Sequence, residues 1–367
     1  MRVCGRSSGV PARSPLPVRS CQRGSIVLQG VRYLLGSVTA VLLGLGPLHA
    51  GPQALATVKF TLDWVWQGIY APYAVAAARG FYAQEGLAVE IDRGSGSADA
   101  AAKIASGAYD FGVVDLAVLV EFNAQNPGRE LLAIGVIFND SPLCIMTLRS
   151  SGITTPRDLE GRRIAAPAGS ASRLLFPAFA RMVGIDADRV QWVTVTGALR
   201  EPMLVRREVD ATAPFIDALV TLTALGVPRE QIIVFHYPRY GLPLYGLAVV
   251  TRREIVDRRP ELARGLMRAV VRGWQESIRR PEEMLDILQA QDPLVRRDVE
   301  RDRFLLGLER LVLTPEVRRH GLGFASRERL YRHITVVTDT LRLPRRISLD
   351  DLYTGRFLPP REQRLPP

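Results

Sequence analysis

From Val58 onward the chain switches repeatedly between two hydrophobic periods. Val58 to Leu62 (VKFTL) alternates apolar and polar positions and predicts a strand. Ile69 to Arg79 is alanine-rich and helical, ending at Gly80, which is free to take the left-handed conformation beyond a helix end. Val89 to Ile91 predicts the next strand, Ala98 to Ser106 a helix, and Phe111 to Val114 a third strand. After apolar runs at Leu131 to Ile137 and Cys144 to Leu148, TTPRDLEGRRIAAPAG opens a second set of the same kind. Its predicted elements are a strand at Arg163 to Ala166, a helix at Ala171 to Val183 ending at Gly184, and a strand at Val190 to Val195. A helix at Glu201 to Arg207 and a strand at Asp210 to Ala213 complete it. Strands alternating with helices over short connections imply an α/β protein with largely parallel sheets, and two such sets imply two lobes. Leu247 to Thr251 then leads into helices at Glu261 to Arg279, Pro281 to Gln291 and Val299 to Leu311. Leu262, Leu266, Ala269, Val270 and Gly273 fall at helical spacing and predict a core-facing stripe.

The amino terminus has a different character. Arg2, Arg6, Arg13, Arg19, Arg23 and Arg32 precede any acidic residue, and Tyr33 to Leu48 is an apolar run too short for a membrane-spanning helix of ~20 residues. Ala54-Leu55-Ala56 and Leu48-His49-Ala50 both supply small-residue cleavage patterns, so residues 1–56 read as an export signal and leader, cleaved after Ala56 or Ala50. The long arginine-rich stretch before the apolar run fits a start further along, near Val27 or Val31.

Charge and cysteine content then narrow the classes. Of the net +11, the six leader arginines carry more than half, and the later arginines mostly alternate with Asp and Glu, as on a solvated mixed-charge surface. Nucleic acid is therefore not an expected partner. Of the three cysteines, Cys4 and Cys21 lie in the leader and Cys144 alone in the body, too few there for a disulfide or a cysteine-built zinc site.

The ordered motifs TLDW (61–64), RGFYAQEGLAVEI (79–91), GSGS (94–97), IASGAYDFGVVD (104–115), GITTPRDLEGRRIAAPAGSAS (152–172) and REVDAT (207–212) resemble the periplasmic solute-binding proteins of ABC importers. The branch is the one containing nitrate, sulfonate and taurine binders and the thiamine-pyrimidine synthase-like proteins, and the resemblance runs from about Val58 to Arg280. It implies an α/β, type II periplasmic binding fold: two lobes, two crossover strands and a ligand cleft. The expected division is 57–145 and 246–358 for one lobe and 146–245 for the other. The crossovers are expected at Cys144 to Leu148 and Tyr245 to Val250, and residues 359–367, rich in proline, as a loose tail.

In such a cleft, strand carboxyl ends and helix amino ends converge on the ligand, which selects candidates by position. Asp63, Trp64, Trp66 and Tyr70 follow the first strand and suit a flat heteroaromatic ligand, with stacking faces and an acceptor for a ring amine. Ser95 and Ser97 precede one helix, and Gly169, Ser170 and Ser172 another; their hydroxyls and amides suit an anion or a polar edge, while Arg173 either adds a cation beside the second loop or points to solvent, and ligand contact is expected of the loop, not of Arg173. Asp115, Asn139 and Phe215 lie at strand ends, with Asp115 equally suited to capping the helix Leu116 to Gln125. Tyr245, with Tyr237 and Tyr240, is placed to close an aromatic cage near the second crossover.

The same resemblance raises an enzyme. Thiamine-pyrimidine synthases of this fold are expected to use pyridoxal phosphate, a histidine of their own chain and a cysteine-rich iron-binding segment. Aligned here, Val114 occupies the cofactor-binding lysine position and Val118 the histidine position, and Tyr240 to Val250 holds no cysteine. The expectation is thus a binding protein with no catalytic residues, cofactor or metal. It acts as a monomer with a small-molecule ligand, an ABC permease and a separate ATPase, and meets the membrane through the permease. A thiamine-precursor pyrimidine is the favoured ligand, with taurine, alkanesulfonate or nitrate, or a sensing role, as alternatives.

Overall fold

The computed structural model describes residues 54–367. The arginine-rich leader and its apolar run thus lie outside the described residues, apart from Ala54, Leu55 and Ala56. Among the described residues, ten strands form two five-stranded sheets. Sheet one is built from β1 (Ala56–Thr61), β2 (Leu87–Asp92), β3 (Phe111–Asp115), β4 (Leu131–Val136) and β10 (Leu247–Arg252); its order is β2-β1-β3-β10-β4. Sheet two uses β5 (Cys144–Leu148), β6 (Arg163–Ala166), β7 (Gln191–Thr194), β8 (Ala211–Thr212) and β9 (Ile232–His236), in the order β7-β6-β8-β5-β9. The two orders are one pattern used twice: a parallel β-α-β-α-β core, with an antiparallel strand beside its third member.

That antiparallel strand is in each case the one the chain delivers from the other sheet, which is why the sheets are interlocked. The chain crosses through residues 137–143, between β4 and β5, and back through 237–246, between β9 and β10. The two passages run together: the Gly246 amide donates to the Phe138 carbonyl at 2.9 Å, and the Tyr237 amide to the Leu143 carbonyl at 3.0 Å. The expected crossovers are therefore displaced by a few residues. Cys144–Leu148 is already a rung of sheet two, paired with β8 and β9, and Leu247–Arg252 a rung of sheet one.

Most expected elements are present with shifted ends. The helix expected over Ala171 to Val183 is broken into Ala171–Leu174 and Phe176–Val183, because Pro177 has no amide to continue the ladder and its ring excludes the preceding turn. Gly80 and Gly184 take the left-handed conformation at φ 69° and 72°. The helix Pro260–Arg279 buries Leu262, Leu266, Ala269, Val270 and Gly273, the apolar stripe read from spacing. Strand β9 and the helix Arg327–Leu341 are additions the periodicity did not single out.

The carboxyl-terminal residues correct an expectation. The tail is docked, not loose: Arg364 is buried, donates to the Gly321 carbonyl at 3.1 Å, and its own carbonyl accepts from the Leu322 amide at 2.7 Å. Gln275 donates to the carbonyls of Gln363 and Leu365. What the body of the protein holds are the backbone carbonyls of Gln363, Arg364 and Leu365, and composition alone does not reveal that docking. At the other end, Ala56 pairs with Leu87 as the first rung of β1, so cleavage after Ala50 leaves that strand whole and cleavage after Ala56 shortens it.

Candidate functional site

A cleft of about 550 Å³ lies where the carboxyl ends of the parallel strands of both sheets face each other. One wall comes from the turns after β1 and β2, the other from the turns after β6, β7 and β8. Asp63, Trp64, Tyr70, Ser95 and Ser97 line the first wall, and Ser170, Ser172 and Phe215 the second.

On the first wall Asp63 is the centre of a buried web. Its Oδ1 accepts from the Tyr70 hydroxyl at 2.9 Å and its Oδ2 from the Ser97 hydroxyl at 2.8 Å, while its carbonyl accepts from the Gly96 amide at 2.7 Å. Burial pushes the Asp63 carboxyl up to about 6, against the pull of the Ser97 and Tyr70 hydrogen bonds. Gly96, at φ 135°, is a position no other residue fills: a Cβ there would stand 2.5 Å from the Gly169 carbonyl of the opposite wall. The GSGS loop thus needs its second glycine for the walls to meet, and the Ala98 amide donates to that same Gly169 carbonyl at 3.4 Å.

Trp64 reaches toward the second wall. A Cβ on Gly197 would lie 2.3 Å from its ring, and the Arg200 guanidinium stands 5.4 Å from the ring centroid. Arg200 is itself paired with Glu201 at 2.6 Å, both nearly buried. Deeper in, Arg303 pairs with Asp217 at 2.8 Å and with Glu300 at 2.9 Å. The Ser172 hydroxyl is committed to the Pro214 carbonyl at 2.6 Å, whereas the buried Ser170 hydroxyl has no partner among the described residues.

Five expected residues lie away from the cleft lining. Trp66 packs into the hydrophobic core. Asp115 caps the helix Leu116–Gln125, its Oδ1 accepting from the Ala117 amide at 2.9 Å, and burial raises its carboxyl to about 7. Asn139 is fully buried, its amide donating to the Phe324 carbonyl while its oxygen accepts from Thr314. Gly169 contributes its carbonyl to the wall-to-wall contact and is not itself lining. Tyr245 does not close an aromatic cage: its hydroxyl donates to Glu316 at 2.9 Å, and Arg329 covers its ring at 4.0 Å. Tyr237 and Tyr240 are likewise absent from the lining. Arg173 stays off the cleft, as read, but over the Trp192 ring and bonded to Thr194 and not free in solvent. Asn139 follows the end of β4 and Tyr245 precedes the start of β10, so both belong to the crossing passages, where residues of the carboxyl-terminal helices and their connections hold them.

Sequence reasoning missed Arg200, Glu201, Thr221 and Arg303. The first two follow β7 and were open to the same strand-end rule, but Arg303 comes from a helix far downstream, with no local signal.

The pyridoxal phosphate and iron chemistry of a synthase does not fit these residues. Val114 and Val118 are buried in the apolar core, and neither lines the cleft. Among the described residues no lysine or histidine lines it, and no group of three or more His, Cys, Asp or Glu is placed to hold a metal ion.

A family model described as NMT1/THI5 like matches residues 68–284. A Legionella pneumophila protein named 4-amino-5-hydroxymethyl-2-methylpyrimidine phosphate synthase is 24% identical over 306 residues, covering 82% of this chain and 92% of its own. The formylaminopyrimidine-binding protein of Halalkalibacterium halodurans is 23% identical over 268 residues, 71% of this chain and 79% of its own. Among solved structures, the alkanesulfonate-binding protein SsuA from Xanthomonas axonopodis pv. citri superposes with a TM-score of 0.62 at 16% identity, over 82% of this chain and 99% of that one. With its two interlocked sheets and the cleft between them, the chain belongs to the NMT1/THI5-like family and has the fold of the periplasmic binding proteins.

Proposed function

We propose that the protein is the exported, periplasmic substrate-binding component of an ABC importer. It closes its cleft around a small heteroaromatic solute, a thiamine-precursor pyrimidine foremost, and presents it to a membrane permease driven by a separate ATPase. In this reading it works as a monomer of two lobes divided at the crossing passages.

The observation that carries the ligand class is the charge pattern of the cleft. Each lining cation is already matched: Arg200 by Glu201, and Arg303 by Asp217 and Glu300. Asp63 forms no ion pair among the described residues. A sulfonate or nitrate entering this cleft would meet three carboxylates and no unmatched cation, so only neutral donors such as the Ser170 hydroxyl would answer its charge. A ring with an exocyclic amine instead finds the free lone pairs of Asp63 as acceptor and the Trp64 indole as a stacking surface. The printed names of the Legionella and Halalkalibacterium relatives both contain a pyrimidine, which supports the same choice. Export rests on the leader read from sequence. Among the described residues no helix is long and apolar enough to cross a membrane.

A thermal-shift panel of aminopyrimidines, taurine, alkanesulfonates and nitrate tests the reading. A ligand at 100 times its Kd stabilises the fold by about 2.7 kcal/mol, a measurable rise in Tm. The account expects the rise with aminopyrimidines; a rise with sulfonates alone contradicts it.

A further inference from the structure

The helix Arg297–Gly307 lies beyond the residues matched by the family model, yet it places Arg303 in the cleft. The guanidinium bonds in two directions. Toward the first wall, its Nε donates to Glu300 Oε2 at 2.9 Å, and the same oxygen accepts from the Gly68 amide at 2.7 Å, next to the turn that carries Tyr70. Gly68 is required there, since a Cβ would stand 2.2 Å from the Glu300 carbonyl. Toward the second wall, Nη1 donates to Asp217 Oδ2 at 2.8 Å and Nη2 to Thr221 Oγ1 at 2.9 Å. Asp217 and Thr221 follow β8, at the start of the helix Ala218–Ala224. Arg303, Asp217 and Glu300 are 3%, 4% and 6% exposed.

We propose that Glu300, Arg303 and Asp217 are positioning residues that draw the two walls together before any ligand arrives, and so set the affinity of the cleft. Opening the cleft must part Arg303 from Asp217 and Thr221, whereas Glu300 stays with Arg303 on the first wall. Water that re-enters on opening recovers part of the solvation of these charges, so the cluster biases the equilibrium toward closure without locking it. A ligand that needs both walls binds in proportion to the closed fraction, which is the consequence for affinity. Only that consequence rests on the binding role proposed above; the closure itself does not.

Hydrogen exchange on the ligand-free full chain tests it. The Ala98 amide, bonded to Gly169 across the walls, reports closure, and the amides of β3 report the fold. Asp217→Asn is expected to speed exchange at Ala98 at least tenfold and to leave β3 unchanged. Arg303→Lys, which keeps the charge and loses the fork, is expected to fall between it and the parent. Unchanged Ala98 exchange in both variants overturns the proposal, and so does equal loss of protection at Ala98 and β3, which would make the cluster part of the fold. A parallel titration with an aminopyrimidine separates the two claims: faster Ala98 exchange in a protein that binds no pyrimidine defeats the ligand reading and leaves the cluster standing.

Discussion

The two walls of the cleft use similar residues to different ends. On the first, the Asp63 carboxylate is gripped by Tyr70 and Ser97, one hydrogen bond to each oxygen from a neighbour on the same wall, which leaves further lone pairs open. On the second, charges come as neutralised pairs, Ser172 is spent on the Pro214 carbonyl and Ser170 is left without a partner among the described residues. In the proposed reading the contrast gives recognition chiefly to the first wall, where a fixed acceptor awaits a donor. The second wall supplies cover and one adaptable hydroxyl.

The sharpest break of this comparison is Asp63→Ala. It removes the acceptor and strands two buried hydroxyls, so aminopyrimidine affinity should fall by about 3 kcal/mol in calorimetry, with the fold checked by circular dichroism. Trp64→Ala should cost about 1–3 kcal/mol of binding through lost stacking. An affinity unchanged by either substitution would remove the first wall from recognition.

A pH series probes the acids beside that wall. Burial holds Asp63 at about 6 and Asp115 at about 7, both above the ordinary 3.8. The folded chain therefore keeps protons that the unfolded chain releases. Stability from these two groups is full below pH 4 and is lost as pH rises through 6 and 7. Asp115→Asn should abolish its share, on the order of 3 kcal/mol between pH 4 and pH 7, in urea unfolding followed across that range.

The smallest effects should separate the two serines of the second wall. Ser172→Ala removes a buried hydrogen bond and should lower fold stability by about 1 kcal/mol, while Ser170→Ala breaks none and should act on ligand binding alone, by about 1 kcal/mol. Reversed outcomes would exchange their roles.

Much of this contrast was legible in the chain. The period of two followed by a helical period located the ends of β1, β2 and β6, and from those ends came Asp63, Trp64, Ser97 and Ser170. The same rule overreaches at Asn139, because it cannot tell a strand end that faces the cleft from one that feeds a crossing passage, and nearness to the second crossover misleads at Tyr245, whose hydroxyl is held by Glu316. Arg303 left no trace: it meets Asp217 across 86 residues, and Glu300 meets Gly68 across 232, by packing that no local pattern encodes. The docked tail was hidden for a related reason, since its hold comes from backbone carbonyls and one buried arginine, and composition records neither arrangement.

Isothermal titration of an aminopyrimidine and of an alkanesulfonate into the protein and its Asp63→Asn variant tests the central claim most directly. The account predicts saturable binding of the aminopyrimidine, weakened at least tenfold by the substitution, and no heat from the sulfonate. Sulfonate binding that survives or improves in Asp63→Asn would contradict it.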